Sequence, residues 1–226
     1  GNKKIAKAVL NQIVGNGLAC NANCFWEEQK ILFARDLAEF CNDFGLYGLN
    51  VVLPMNSGAE AVETALKIAR KWGYLRINVA ADKAEIICCE NNFHGRTFGV
   101  ISMSTVLQYK NHFGPLLPGI KVIPFADISA LNAAICRNTA AFLVEPAQGE
   151  GGVIIPPHGY LAEARKICRE SNVLFIADEI QSGFGRTGKM FACNHENVVP
   201  DMIILGKSLG FGLPISAVVG HKNVMN

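Results

Sequence analysis

Four apolar runs, EIICCE (85–90), AAFLVE (140–145), VLFIADE (173–179) and DMIILG (201–206), constrain the fold of this chain more than any other feature. Each is too short for a helix, and none alternates apolar with polar residues as a strand with one wet face would. A strand that is apolar on both sides must be covered on both sides. That is the situation of a parallel sheet held between two layers of helices. VVLPM (51–55) and KVIPF (121–125) read as two further strands of the same kind.

The segments between them supply the helices. SGAEAVETALKIARKW sets Val62, Ala65, Leu66, Ala69 and Trp72 at helical spacing, and Ser57 stands three residues before Glu60 as a capping box. DISALNAAIC and YLAEARKICRES read as two more helices, WEEQKILFARDLAEFC as a full helix near the start, and KKIAKAVLNQIV as the end of another. The expected organisation is a helical lead-in over 1–45 and one large α/β domain over 46–226, with no internal repeat and no linker. At 226 residues and 50% hydrophobic, the chain can bury such a core.

Charged residues are 18% with a net charge of +2 and no basic stripe, which argues against nucleic acid and anionic membrane as partners. No apolar run approaches the length of a spanning helix. Most of the eight cysteines lie inside apolar segments, as small buried residues of a reducing compartment would. Cys20 and Cys24 form a lone C-x3-C with no second pair at zinc-finger spacing, so no metal site is expected.

The polar residues fall at strand ends. Ser57 and Gly58 follow 51–55, Glu145 ends 140–145, Asp178 and Glu179 end 173–179, and Lys207 follows the last run in IILGKSLGFG. In an open parallel sheet, ligands bind outside the carboxyl ends of the strands, so four such ends on one edge describe a site. Two motifs compete and fail. GFGRTG (183–188) has the spacing of a dinucleotide fingerprint, but two carboxylates precede it and no good helical period follows. GKS at 206–208 would need a glycine at 201, where Asp201 stands.

An anion cradle at a helix start, a carboxylate and an amine together suit pyridoxal phosphate. Its phosphate needs free backbone N–H groups, its pyridine nitrogen a carboxylate, and its aldehyde a lysine. A buried lysine would also be the easier one to deprotonate.

The chain resembles the class III, fold type I, pyridoxal-phosphate-dependent aminotransferases. LPMNSGAEAVETALKIARKWGY, NNFHGRTFGVISMS, FLVEPAQGEGGVIIPPHGYL, VLFIADEIQSGFGRTGKMFA and PDMIILGKSLG carry the resemblance, in family order, over most of 50–220. It implies the large domain of that fold, a three-layer α/β/α arrangement with a mostly parallel sheet. It implies that Lys207 links to the cofactor and shuttles a proton, that Asp178 holds the pyridine N–H and that Gln181 bonds the ring hydroxyl. Ser57, Gly58 and Ala59 would take the phosphate, and Phe93 would lie against the ring. Arg96 would receive a substrate carboxylate, with Glu145 and Glu150 lining the pocket. His94 is expected to be a wall of the pocket.

The resemblance further implies amino-acid and 2-oxo-acid substrates and a homodimer with a shared active site. The expected compartment is the cytoplasm, or the mitochondrial matrix in a eukaryote. KIARKWGY, PLLPG and PPHGYL favour transfer of the terminal δ-amine of ornithine to 2-oxoglutarate, with acetylornithine or 4-aminobutyrate as the alternative donors. The family's N-terminal segment and small C-terminal domain are expected to be largely absent from this polypeptide. A dinucleotide-dependent dehydrogenase and an inactive relative that keeps the fold are the rivals from other classes.

Overall fold

The computed structural model describes residues 2–16 and 26–226, so the Cys20–Cys24 pair lies outside the described residues. The chain forms two compact units, Gly1–Phe33 and Ala34–Asn226. In the first, α1 (Lys3–Asn11) is capped by Asn2, whose Oδ1 accepts the Lys4 N–H, and a π turn follows over Gln12–Asn16. Helix α2 (Glu28–Asp43) contributes its residues 34–43 to the second unit. That unit begins before the expected boundary at 45 because Leu37 and Cys41 are buried in it and Phe40 packs on Phe44, Phe184 and Phe191.

In chain order the second unit continues as β1 (Val51–Met55), α3 (Gly58–Arg76), β2 (Glu85–Cys89), α4 (Phe98–Ile101), α5 (Leu107–Lys110) and β3 (Ile120–Ile123). It completes with α6 (Ile128–Ala134), β4 (Thr139–Val144), α7 (Tyr160–Glu170), β5 (Leu174–Asp178), β6 (Met202–Leu205), β7 (Ser216–Gly220) and α8 (Lys222–Met225). Two 3-10 turns, Ala192–His195 and Lys207–Gly210, sit between the last strands.

The seven strands make one sheet in the order β1-β7-β6-β5-β4-β2-β3. The pairs from β6 through β5, β4 and β2 to β3 are parallel, as their apolar runs require. The sheet departs from all-parallel at one side, where β7 lies antiparallel between β1 and β6. Two antiparallel pairings restore the direction of β1, so its carboxyl end opens on the same edge as those of β4, β5 and β6.

Alternation along the strands assigns the two faces. Ile86, Cys88, Ala141, Leu143, Leu174, Ile176, Met202, Ile204 and Val218 meet the apolar stripe of α3 formed by Ala61, Val62, Ala65, Leu66 and Ala69. On the opposite face, α7 buries Leu161, Ala164 and Cys168 against the β5 side of the sheet. Gly73 of α3 comes so close to the sheet that a Cβ there would stand 2.9 Å from that of Ala140. Among the described residues no helix is long and apolar enough to cross a membrane. Cys41, Cys88, Cys89, Cys168 and Cys193 are buried and free, and Cys136 is free and exposed. Burial pushes the Cys41 and Cys168 thiols up to about 12, consistent with a packing role.

Candidate active site

The first wall of the site is the start of α3. Ser57 accepts the Glu60 N–H through Oγ, and Glu60 Oε2 accepts the Ser57 N–H at 2.6 Å, completing the capping box read from the sequence. A cap of this kind stabilises a helix by about 1 kcal/mol. It leaves the N–H groups of Gly58 and Ala59, the first two helical positions, without an intrahelical partner and at the positive end of the dipole. Ser57 itself is exposed, with its oxygens occupied: Oγ caps the helix and its carbonyl accepts the Ser216 hydroxyl at 2.6 Å. It does not line the cleft.

The second wall comes from β5. Leu174 and Ile176 face α3, and the same alternation carries Asp178 to that face at the strand's end. Asp178 is 3% exposed; Oδ1 accepts the Ile180 N–H at 3.1 Å, and Oδ2 lies 2.6 Å from Nδ1 of His94. His94 is thus a partner of the carboxylate and more than a wall. Burial alone would lower the proton affinity of the imidazole, but the hydrogen bond and charge of Asp178, with Glu145 beyond, outweigh it and raise it.

His94 arrives on the loop after β2. Asn92 is buried there, donating to the carbonyls of Cys89 and Met103 at 2.5 and 2.7 Å. Phe93 N–H donates to Glu145 Oε2 at 3.1 Å. Gly95, at φ +124°, lets the loop touch the helix start; a Cβ there would stand 2.8 Å from that of Ala59. Glu145 is 5% exposed, and its carboxyl is pushed up to about 7. Burial is the main cause and the Asp178 charge adds to it, against His94 and the N–H groups of Phe93 and Gly149.

Lys207 follows β6 by one residue. The structure corrects one expectation: Lys207 is exposed rather than buried. The strand's buried run stops at Gly206, and Lys207 opens a 3-10 turn with no buried residue. Its φ of +41° puts a non-glycine residue in the left-handed region, a strain of about 1 kcal/mol or more of the kind that clusters at functional sites.

Gly58, Ala59, Phe93, His94, Gly95, Glu145, Glu150, Asp178, Ile180, Gln181 and Lys207 line one cleft of about 210 Å³. Nine of the expected site residues therefore converge, with Glu150 exposed at the rim, while Ser57 and Arg96 stand outside. Arg96 lines an adjoining hollow with Phe98, Ile101, Gln108, Tyr109 and Phe113, its guanidinium 5.9 Å from the Phe93 ring centre and 5.7 Å from that of Tyr109. Sequence reasoning missed the His94–Asp178 bond and the apolar wall of Ile180. The only local signal for the first was an imidazole flanked by Phe93 and Gly95. Glu179, by contrast, turns away from the cleft and is fully buried, accepting from Ser182 Oγ and the N–H groups of Ala192 and Cys193.

These residues fit pyridoxal phosphate. Two unbonded N–H groups at a helix start suit a phosphate, and a buried carboxylate suits a pyridinium. A primary amine at the same cleft suits an aldehyde, and Phe93 and Ile180 give apolar walls for a flat ring. No group of three or more side chains able to hold a metal ion occurs among the described residues.

The family model Aminotransferase class-III matches residues 1–226, and the chain belongs to that family. Among individual proteins, it is similar to the ornithine aminotransferase of Geobacillus sp. (strain WCH70), 62% identical over 181 residues, 80% of this chain and 46% of the relative. The solved ornithine aminotransferase from Toxoplasma gondii superposes with a TM-score of 0.93 at 44% identity, covering 99% of this chain and 52% of that one. That structure reveals partial occupancy of pyridoxal phosphate at its active site. The acetylornithine aminotransferase from Elizabethkingia anophelis gives 0.82 at 45% identity, covering 100% and 53%. The chain spans about half the length of the curated relatives it matches.

Proposed function

We propose that this chain is the cofactor-holding part of a pyridoxal-phosphate-dependent enzyme that moves the δ-amine of ornithine to 2-oxoglutarate, giving glutamate semialdehyde and glutamate. The observation that carries the reading is the convergence of the α3 start, Asp178 and Lys207 on one cleft. The bound cofactor supplies an electron sink, so that a C–H bond beside the reacting nitrogen can release its proton.

The chain's own residues do the rest. Gly58 and Ala59 hold the phosphate through their backbone N–H groups and the helix dipole. Asp178, buried beside His94, partners the pyridine N–H. Gln181 offers one neutral hydrogen bond to the ring hydroxyl. Lys207 anchors the cofactor, and its Nζ carries the proton between substrate carbon and cofactor. Phe93 and Ile180 exclude water from the ring faces. Arg96 offers a planar fork to a substrate carboxylate, and Glu145 and Glu150 present oxygens to the substrate's amine.

The 62% identity to an ornithine aminotransferase over 181 residues favours ornithine as donor. N-acetylornithine is the second reading, favoured by the 45% identity to an acetylornithine enzyme. A site that pairs buried polar groups with a free α-amine rejects the acetylated analogue, because those groups are then left unpaired. In the full-length protein, kcat/KM for ornithine should exceed that for N-acetylornithine and for 4-aminobutyrate by tenfold or more, about 1.4 kcal/mol in transition-state binding. A tenfold preference for N-acetylornithine would replace the first reading with the second.

The same proposal includes a homodimer, for which the exposed Phe98, Leu107 and Phe113 around Arg96 supply apolar surface. The free, buried thiols suit a reducing compartment, the cytoplasm or a mitochondrial matrix.

A further inference from the structure

Gly149 stands between two side chains of the cleft. Its N–H donates to the Glu145 carboxyl, and its Cα lies against Gln181. A Cβ at position 149 would stand 2.7 Å from Cδ and 2.8 Å from Cγ of Gln181, and closer still to Nε2. The backbone does not account for this glycine. Gly149 is absent from the residues of positive φ, whereas Gly152 in the same turn has a φ of +112°. What position 149 requires is the space beside Gln181.

Both sides of this contact are held. Gln148 is 1% exposed; its Nε2 donates to the Glu90 carbonyl at 2.6 Å, and its backbone exchanges two bonds of 2.9 Å with Ile154. The Gly149 carbonyl accepts the N–H groups of Gly152 and Val153 at 3.2 and 3.1 Å. So tied, the turn cannot back away from Gln181. Opposite it, the backbone around Gln181 is closed by the Ile180 N–H on Asp178 and the Gly183 N–H on the Glu179 carbonyl. The side-chain amide of Gln181, by contrast, makes no hydrogen bond among the described residues. Its direction is therefore set by packing, and Gly149 is the surface it packs on.

We propose that Gly149 is a positioning residue: the missing side chain lets Gln181 lie along the cleft wall with its amide directed to the ring hydroxyl of pyridoxal phosphate. This rests on the reading of the cleft as a pyridoxal phosphate site. Gly149 does not line the cleft; it acts through Gln181. The three atoms an added Cβ would meet first all belong to one flexible side chain, so alanine turns Gln181 aside and leaves the fold in place. A ring oxygen that loses its donor holds a proton more tightly, and the loss is visible in the titration of the bound cofactor.

The test uses the full-length protein, freed of cofactor and titrated with pyridoxal phosphate, after which the visible spectrum of the loaded protein is followed against pH. Wild type is compared with Gly149→Ala, Gln181→Ala and the double variant. Gly149→Ala should reproduce Gln181→Ala, with a Kd raised about fivefold, the worth of one neutral hydrogen bond, and a spectral transition moved to higher pH. In the double variant the new methyl fills the space the amide has left, and neither quantity should move beyond its value in Gln181→Ala. Wild-type behaviour in Gly149→Ala overturns the proposal. So does a double variant in which the two effects add, since Gly149 would then act by another route.

Should Gly149→Ala fail to fold, the double variant decides. If it folds and matches Gln181→Ala, the clash with Gln181 was the cause and the proposal stands; if it also fails to fold, the glycine serves the turn and the proposal falls. Gln181→Ala that behaves as wild type, or wild type that binds no pyridoxal phosphate, overturns the reading of the cleft and the proposal with it. The other adverse outcomes overturn the proposal alone, so the two failures are distinguishable.

Discussion

Replacing Glu145 with glutamine should flatten the pH dependence of this protein's stability between about pH 4.5 and 7. The carboxyl of Glu145 is pushed up from an ordinary 4.5 to about 7, chiefly by burial. A carboxyl whose proton is held more tightly in the folded than in the unfolded state makes the folded protein bind more protons across that window. Stability then falls as pH rises: the contribution is complete below about 4.5 and is lost as pH passes through about 7. A rise of about two and a half pH units, at about 1.4 kcal/mol each, corresponds to about 3 to 4 kcal/mol over the whole window.

Glutamine is nearly isosteric and keeps an oxygen for the Phe93 N–H, so the variant removes the titration without opening a cavity. The part of the raised His94 proton affinity that comes from the Glu145 charge is lost with that carboxylate, so the difference reports Glu145 together with its effect on His94. The assay is urea unfolding of the cofactor-free protein at pH 5 and pH 8. Wild type should lose about 2 to 3 kcal/mol more than Glu145→Gln between the two, since pH 5 already lies just inside the window. Parallel losses would refute the reasoning, showing that Glu145 is ionised throughout despite its burial.

Borohydride added to the cofactor-loaded protein should fix the cofactor on Lys207, and Lys207→Ala should lose both the adduct and nearly all turnover; peptide mapping to another lysine would refute the assignment. Asp178→Ala should cost far more catalysis at saturating cofactor than Gln181→Ala, since one neutral hydrogen bond is worth about 1 kcal/mol whereas Asp178 is the carboxylate that partners the pyridine nitrogen. Equal losses in the two variants would dispose of the electron-sink role.

What could be read from the sequence follows from how local each cause is. The parallel strands were legible because burial on both faces writes a continuous apolar run into a few consecutive residues, as in AAFLVE. The start of α3 was legible because Ser57 and Glu60 satisfy each other within one turn. Strand β7 was not, since SAVVG follows a glycine-rich segment and takes its direction from neighbours, β1 and β6, that are distant in sequence. The exposure of Lys207 was hidden for a similar reason. Buried residues run through Gly206, and only the left-handed turn at position 207 takes the lysine out of the strand. Arg96 shows the limit of reasoning by proximity: one residue past Gly95, it faces a different hollow because the glycine turns the backbone.

The same contrast explains how the site is held. Phe93, His94 and Gly95 are consecutive, yet each is tied to a different element: Phe93 to Glu145 after β4, His94 to Asp178 on β5, and Gly95 to Ala59 on α3. One loop thereby fixes three walls of the cleft relative to each other. Three such ties, each spanning tens of residues of chain, cannot form until the sheet has assembled, and once formed they restrain one another. A change at any of the three should therefore be felt at the other two walls, whereas the side chain of Glu179, one residue from Asp178, is hydrogen-bonded to the 182–193 segment. Neighbours in sequence are thus separate in function here, and residues far apart in the chain act as one unit.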